Sequence, residues 1–520
     1  MDRRRFLRDA GRAIVATPPI AALVAACTRA PASTSTTTPS ASRSGGGAPQ
    51  WDRLASKLQG SLILPSSAKY PTARLAYDPR FDDVHPQAIV KAASAGDVAT
   101  TIAFARGDDL PFAARSGGHS YGGYSVSNGI VIDLSAMSTV RPQPSSRTVT
   151  IGPGARLIEV ATALAPSGSV LPGGTCATVG ISGLTMGGGQ GVIGRHFGLT
   201  CDSLRSATVV LADGRTVTAN ASSESDLFWA LRGGGGGNFG VVTSFTFATQ
   251  ALPQLTVFSL TWPWSQAAKV TAAWQTWAPS GPPPLWSSLR LRWIPGSGPS
   301  VSVSGAWSAT AAGLTSHLKS LTSAVGNAPT SSVQTMSYLA AEQYFAGCSG
   351  YSLSECALTI DGGKLSREAS LAKSDFFTKP MSSSAIEGLL GQIEDRGRTP
   401  ALSSQAGGVL FDAWGGAIAD VSSTATALPL RNATYLAQEF VTFGTLSQAG
   451  VNANQTWLNS VWQGLRPAVS GFAYVNYIDP QLSDWQRAYY GSNLDRLVQV
   501  KRKYDPDDAF RFAQSIPTST

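Results

Sequence analysis

Two short stretches place reactive side chains in a backbone otherwise stripped of them. Arg115-Ser116-Gly117-Gly118-His119-Ser120-Tyr121-Gly122-Gly123 sets one imidazole among glycines, and Gly173-Gly174-Thr175-Cys176-Ala177-Thr178-Val179-Gly180 does the same with one thiol. Both groups are nucleophiles. Glycine lets a backbone turn through positive φ and approach a ligand closely. A run of amides without side chains also forms a concavity for anions, suited to a pyrophosphate.

Other chemistries find less support. Gly189-Gln190-Gly191-Val192-Ile193-Gly194 satisfies the dinucleotide fingerprint in letters, with Asp213 beyond it. No apolar strand precedes it, however, and Asp213 lies in an Asp-Gly turn rather than at the end of a second parallel strand. The run Gly233–Gly237 continues as Asn238-Phe239-Gly240, without the Gly-Lys-Ser/Thr of a phosphate loop. Only four histidines exist (His85, His119, His196 and His317), and none are paired at metal-ligand spacing. A serine hydrolase would need a Gly-x-Ser-x-Gly elbow in a strand–turn–helix context, which is missing.

From Val84 to Ile516 the chain resembles the berberine-bridge-enzyme-like FAD-linked oxidases. The likeness rests on Gly-His-Ser-Tyr at 118–121, Gly-Gly-Thr-Cys at 173–176, Ala88–Ser94, Gly187–Gly191 and Gly198–Leu204. Asp226–Gly240, Tyr474-Val475-Asn476-Tyr477 and the tail from Tyr490 through Lys501–Pro506 to Phe510 complete it. The resemblance implies one FAD bonded covalently to both His119 and Cys176. It also implies a binding site that includes Arg115, Ser116, Gly117, Gly118, Ser120, Gly174, Thr175, Val179, Gly180, Gly183, Gly188, Gly240, Val242 and Asn476.

In such a family a phenol takes the proton of a substrate hydroxyl while hydride leaves for the flavin. Tyr477 is the implied base, with Tyr121 as a second catalytic residue and Tyr124 as a rival phenol. A phenol ordinarily titrates near 10, so this role needs a neighbour that stabilises phenolate. Alternation along a strand sets Tyr474 and Tyr477 on opposite faces, one toward the cleft and one toward the core. Trp414–Asp420 resembles the family strand over the flavin that often contributes a second polar group. Leu430 stands where the family commonly has a histidine. Val179 corresponds to a position beside the flavin face where oxygen approaches.

The implied fold is α+β: a two-part FAD-binding domain of the PCMH/vanillyl-alcohol-oxidase type (residues 80–252 and 473–516) and a substrate domain (253–472). In the first part, Ala88–Ala105 has helical spacing, while Pro111–Ala114 and Ile130–Leu134 read as buried strands. Ala207–Thr218 reads as a hairpin around Asp213-Gly214, and Asp226–Leu231 as a short helix stopped by glycines. Beyond Pro253, Val257–Trp262, Leu289–Ile294 and Val301–Trp307 alternate apolar and polar, with helical segments at Ala267–Ala278 and Gly313–Val325. Such texture suits an antiparallel sheet covered on one face by helices, its other face turned to the cofactor.

At 520 residues the chain exceeds what one core usually serves. Its 43% hydrophobic and 14% charged residues describe a globular protein. Core filling accounts for most of the 13 tryptophans. Three of the eight net positive charges lie ahead of Cys27, and no basic stripe interleaved with aromatics points to nucleic acid. Asp2-Arg3-Arg4-Arg5-Phe6-Leu7-Arg8 matches a twin-arginine export signal, followed by an apolar stretch ending Leu23-Val24-Ala25-Ala26-Cys27. Residues 1–26 read as the signal, Cys27 as a lipidated anchor or the residue of an ordinary cleavage site, and 27–50 as a Ser/Thr/Pro-rich tether. Cys348 and Cys356 would be able to pair outside the cytoplasm, and Cys201 reads as a small buried hydrophobe.

The expected protein is an exported oxidase that takes hydride from an alcohol, sugar or secondary metabolite and passes electrons to oxygen, giving peroxide. Within the class, the alternatives are a dehydrogenase or an oxidative cyclase. From another class, the alternative is a non-catalytic carbohydrate-binding surface lipoprotein.

Overall fold

The computed structural model describes residues 49–252, 254–444 and 447–519. The export signal, Cys27 and nearly all of the tether lie outside the described residues. Among the described residues no helix is long and apolar enough to cross a membrane.

Strands β1 (Ser61–Ile63), β2 (Ala88–Lys91), β3 (Phe112–Arg115) and β4 (Ile130–Asp133) form a sheet in the order β1-β2-β4-β3, its last three strands parallel. Helix α1 (Ala95–Gly107) links β2 to β3. The segment 88–105 is therefore a strand followed by a helix, not the single helix expected. Ile89 and Val90 are fully buried, on opposite faces of the strand, so their continuous apolar run belongs to a parallel strand. The helix begins where the Ser94 hydroxyl accepts the Asp97 amide (3.2 Å).

A second, antiparallel sheet has the order β5-β6-β9-β7-β8, built from Val140–Gln143, Thr148–Ile151, Leu204–Val210 (β7), Thr216–Asn220 (β8) and Val241–Ala248 (β9). Strands β7 and β8 are the expected hairpin, with Gly214 at φ +84° in its turn. Helix α2 (Leu157–Leu164) packs on this sheet, and α3 (Ser225–Ala230) precedes the glycine run. Ala473, Val475, Tyr489, Tyr490 and Leu497 share this core with Val149, Val209 and Phe245. The tail is tied in by Lys501, fully buried, whose Nζ donates to Asn238 O (3.0 Å) and Asp505 Oδ2 (2.6 Å).

The third sheet has seven antiparallel strands: β10 (Gln254–Trp262), β11 (Leu285–Ile294), β12 (Gly298–Trp307), β13 (Thr330–Ser337), β14 (Ala369–Phe377), β15 (Ala406–Ala413) and β16 (Tyr435–Phe443), in the order β13-β10-β12-β11-β15-β16-β14. Leu289, Leu291, Val409, Phe411 and Tyr435 share one apolar core with α4 (Ala267–Ser280), α5 (Ala311–Val325), α7 (Ser383–Arg398) and α8 (Gln448–Leu465). Trp262, Trp274, Trp307 and Trp457 fill this core. Period-two alternation turns Ser288, Arg290, Asp412 and Gln438 to the opposite face. Between β13 and β14, helix α6 (Tyr338–Phe345) leads to a Cys348–Cys356 disulfide. Cys201 is fully buried, as a small hydrophobe would be.

Candidate active site

Arg115 ends β3 and pairs with Asp133 at the same level of β4, Nη2 to Oδ2 2.9 Å, both side chains buried. Burial pushes the Asp133 carboxyl up, but Arg115 and the hydrogen bonds from Ser135 more than offset this and leave it below its usual range. The pair anchors the start of the His119 loop. That loop and the Cys176 loop lie backbone to backbone. A Cβ on Gly117 would sit 2.7 Å from Thr178 O, and one on Gly180 would sit 2.8 Å from Ser116 Cβ and overlap its hydroxyl. Across this contact His119 Nε2 is 2.9 Å from Thr178 Oγ1, and the imidazole stacks on Tyr77 at 3.9 Å. The two glycine loops are thus one structure, with His119 held against Thr178, two residues beyond Cys176.

Gly187, Gly188 and Gly189 pass under the C-terminal segment. The Gly189 amide donates to Tyr474 Oη (2.8 Å), while Asn476 Nδ2 donates to Leu184 O (2.9 Å) and to Tyr474 Oη (3.1 Å). Burial pushes the Tyr474 phenol up to about 12. The Tyr474–Tyr477 segment is not the strand expected. Val475–Tyr477 forms a 3₁₀ turn, which brings residues three apart to the same side. Tyr474 and Tyr477 consequently touch edge to face, ring centres 5.2 Å apart, instead of facing opposite ways.

Tyr477 is half-buried and lies parallel to Tyr121, centres 5.7 Å apart and planes within 6°. Gln438 Nε2 donates to Tyr121 Oη (2.8 Å), bringing the open face of the third sheet onto the flavin-type domain. Tyr124 leaves this group and packs on Phe512 at 4.6 Å. Burial raises the Tyr477 phenol well above its ordinary value, and negative charge at Tyr121 and Asp412 adds to the rise. Among the described residues no phenolate-stabilising neighbour of the kind expected thus acts on Tyr477.

Asp412 was not visible as a site residue. It lies on β15, two positions before Trp414, and burial pushes its carboxyl up to about 6 against the pull of Ser288 and Arg290. Trp414 closes the strand and Gly416–Ile418 is a 3₁₀ turn, so the polar group of this region precedes the segment expected to carry it. The signal was faint: Asp412 alternates with the buried Phe411 and Ala413, but the apolar Leu410 shares its phase. Leu430 and Trp414 are both buried against Tyr474 in an apolar cluster.

The residues present fit a flavin dinucleotide. A Cβ on Gly183 would meet nothing within 4 Å, so the backbone there borders unfilled space. Gln190 Nε2 is buried without a hydrogen-bond partner among the described residues. Ser116 and Ser182 hydroxyls both donate to Pro153 O (2.6 and 2.7 Å), fixing the walls of that space. Gly118 and Gly188 take φ of +72° and +125°. Val179 is half-buried and packs on the domain core, as Val242 does fully, and Gly240 lies against Val209.

Residues 86–220 match the family model of an FAD binding domain, and 473–517 match the model described as berberine and berberine like. The FAD-linked oxidoreductase YgaK of Bacillus subtilis is 35% identical over 89% of this chain and 97% of its own. The xylooligosaccharide oxidase of Thermothelomyces thermophilus is 30% identical over 83% and 87%. The solved structure of BBE-like 1 from Physcomitrella patens superposes with a TM-score of 0.81 at 26% identity, covering 90% of this chain and 99% of that one. The paired loops, the tail carrying Tyr477 and these likenesses agree: the chain belongs to the berberine-bridge-enzyme-like family of FAD-linked oxidoreductases.

Proposed function

We propose that this protein is an exported oxidase of sugar or oligosaccharide hydroxyls, its FAD bonded to both His119 and Cys176, with molecular oxygen as acceptor and hydrogen peroxide as product. The observation that carries the reading is the convergence of Tyr477, Tyr121, Gln438 and Asp412 where the open sheet face meets the two glycine loops. The bound flavin supplies the hydride acceptor, and two attachments hold its ring plane and withdraw electron density from it. The protein's part is to hold the hydroxyl and move its proton.

Tyr477, kept protonated by burial, is a poor base by itself. Asp412, pushed up to about 6, is largely ionised at neutral pH and close enough to Tyr477 for its charge to act on the phenol. In this reading the substrate hydroxyl gives its proton to Tyr477 as Tyr477 passes its own toward Asp412 through intervening water, so no full phenolate has to form. The Gln438 amide holds the Tyr121 ring parallel to Tyr477, giving aromatic walls to a site whose sheet face is polar. Stacked aromatics beside polar groups suit a pyranose, and the related xylooligosaccharide oxidase supports that substrate class. The tether and Cys27 would hold the enzyme outside the cytoplasm.

A panel of xylo-, chito-, cello- and malto-oligosaccharides, read by peroxide release in air and by flavin bleaching without air, tests the proposal. Bleaching without peroxide would leave a dehydrogenase. A yellow protein that no sugar or alcohol bleaches would refute the substrate class.

A further inference from the structure

Helix α6 lies against α2 and the Cys176 loop, and two adjoining small cavities open between them. Leu157, Gly173, Gly174 and Tyr338 line the first; Ile158, Thr175, Cys176 and Ala346 line the second. Glu342 borders both. It is 8% exposed, and its Oε1 has no hydrogen-bond partner among the described residues. An acid in such a place is expensive, because even with the Tyr338 hydroxyl bonded to it the unpartnered carboxyl oxygen forgoes solvation it would have in water. Its helix is fixed from both sides. The Ser337 hydroxyl accepts the Ala340 amide (3.2 Å), and Tyr338, Ala341 and Phe345 are buried in an apolar cluster.

We propose that Glu342 is the proton acceptor that activates Cys176 for bonding to the flavin. The inference rests on the reading that Cys176 carries such a bond. Only a thiolate attacks, and a cysteine thiol ordinarily titrates at about 8.5. Burial pushes Glu342 up to about 7, so near neutrality it both takes and returns a proton readily. In the step, the thiol proton passes to Glu342, directly or through one water, and a bond forms between Sγ and a ring carbon. The hydrogen on that carbon leaves as a proton, and the electron pair remains on the ring. Molecular oxygen then takes two electrons and two protons to become hydrogen peroxide, which restores the oxidised flavin. His119, on the other loop, forms its bond without Glu342.

The test is mass spectrometry of flavin-bearing peptides from the full-length wild type and Glu342→Gln, freshly purified and after standing in aerated buffer. Loss of a general base slows a step by about 10²–10⁴-fold. Freshly purified Glu342→Gln is therefore expected to carry flavin on the His119 peptide alone and to gain the Cys176 adduct only slowly in air. A Cys176 adduct at wild-type occupancy in the fresh variant would overturn the inference alone. A wild type without any Cys176 adduct would overturn the attachment reading and this inference with it. Should Glu342→Gln fail to fold, Glu342→Met, which fills the apolar site without a polar atom, replaces it with the same outcomes.

Discussion

Replacing Asp412 with asparagine keeps the side chain's shape and removes the carboxylate proposed to drain the proton from Tyr477. With its carboxyl at about 6, Asp412 is about nine-tenths ionised at pH 7 and about one-tenth ionised at pH 5. Flavin reduction by a substrate in the wild type is expected to slow roughly tenfold across that interval. In Asp412→Asn the pH dependence should flatten and the rate should fall by about 10²–10⁴-fold, the usual contribution of general-base catalysis. The sign separates two mechanisms. The Asp412 charge raises the Tyr477 phenol, so removing it makes phenolate easier to form. If Tyr477 acted alone by ionising, Asp412→Asn would be faster than wild type on the alkaline side. The assay is anaerobic stopped-flow bleaching between pH 5 and 8 with any oligosaccharide that the wild type oxidises. Equal wild-type rates at pH 5 and 7, or an Asn variant within threefold of wild type, would refute the coupled transfer.

Tyr477→Phe should slow reduction to a similar degree while leaving the bound flavin spectrum near that of wild type, and an unchanged reduction rate would move the role to Tyr121. His119→Ala and Cys176→Ala should each retain flavin by one bond, and the double variant should release it on acid precipitation; colour that stays with the precipitated double variant would contradict the assignment. Gly180→Ala places a methyl against Ser116 and the Gly117 amide at the loop–loop contact. Overpacking of this kind costs about 1–3 kcal/mol, and the variant should lose bound FAD, measured as the ratio of flavin to protein absorbance. Lys373→Met leaves Asp479 buried without the ammonium now 2.6 Å away. Breaking such a pair costs about 3–5 kcal/mol, expected as a drop of several degrees in melting temperature and as slower flavin reduction, since Asp479 lies two residues beyond Tyr477.

Much of this molecule was determined locally, and those parts were legible. The alternation in Leu289–Ile294 and Val301–Trp307, the Asp213-Gly214 hairpin and the helices at 267 and 311 each follow from a period or a turn residue that acts on its neighbours. The glycine loops around His119 and Cys176 stood out for the same reason, as did the family resemblance their wording carries. What the sequence could not decide depended on partners far along the chain. Ala88–Lys91 becomes a strand because β4 pairs with its edge while Leu54 and Ala105 cover one face and Tyr70 the other, which overrides its helical spacing. Tyr474 and Tyr477 meet because the backbone between them closes into a 3₁₀ turn over the Gly187–Gly189 loop, some 285 residues away in sequence. Asp412 is one carboxylate among many until burial beside Tyr477 shifts it. Gly117 and Gly180 are interchangeable with any other turn glycines until their loops are pressed together. Periodicity and turn chemistry are properties of a few adjacent residues, so they survive in the sequence. Desolvation, register and loop–loop contact arise only when distant segments share a volume, and they set both the charge state and the geometry of this site.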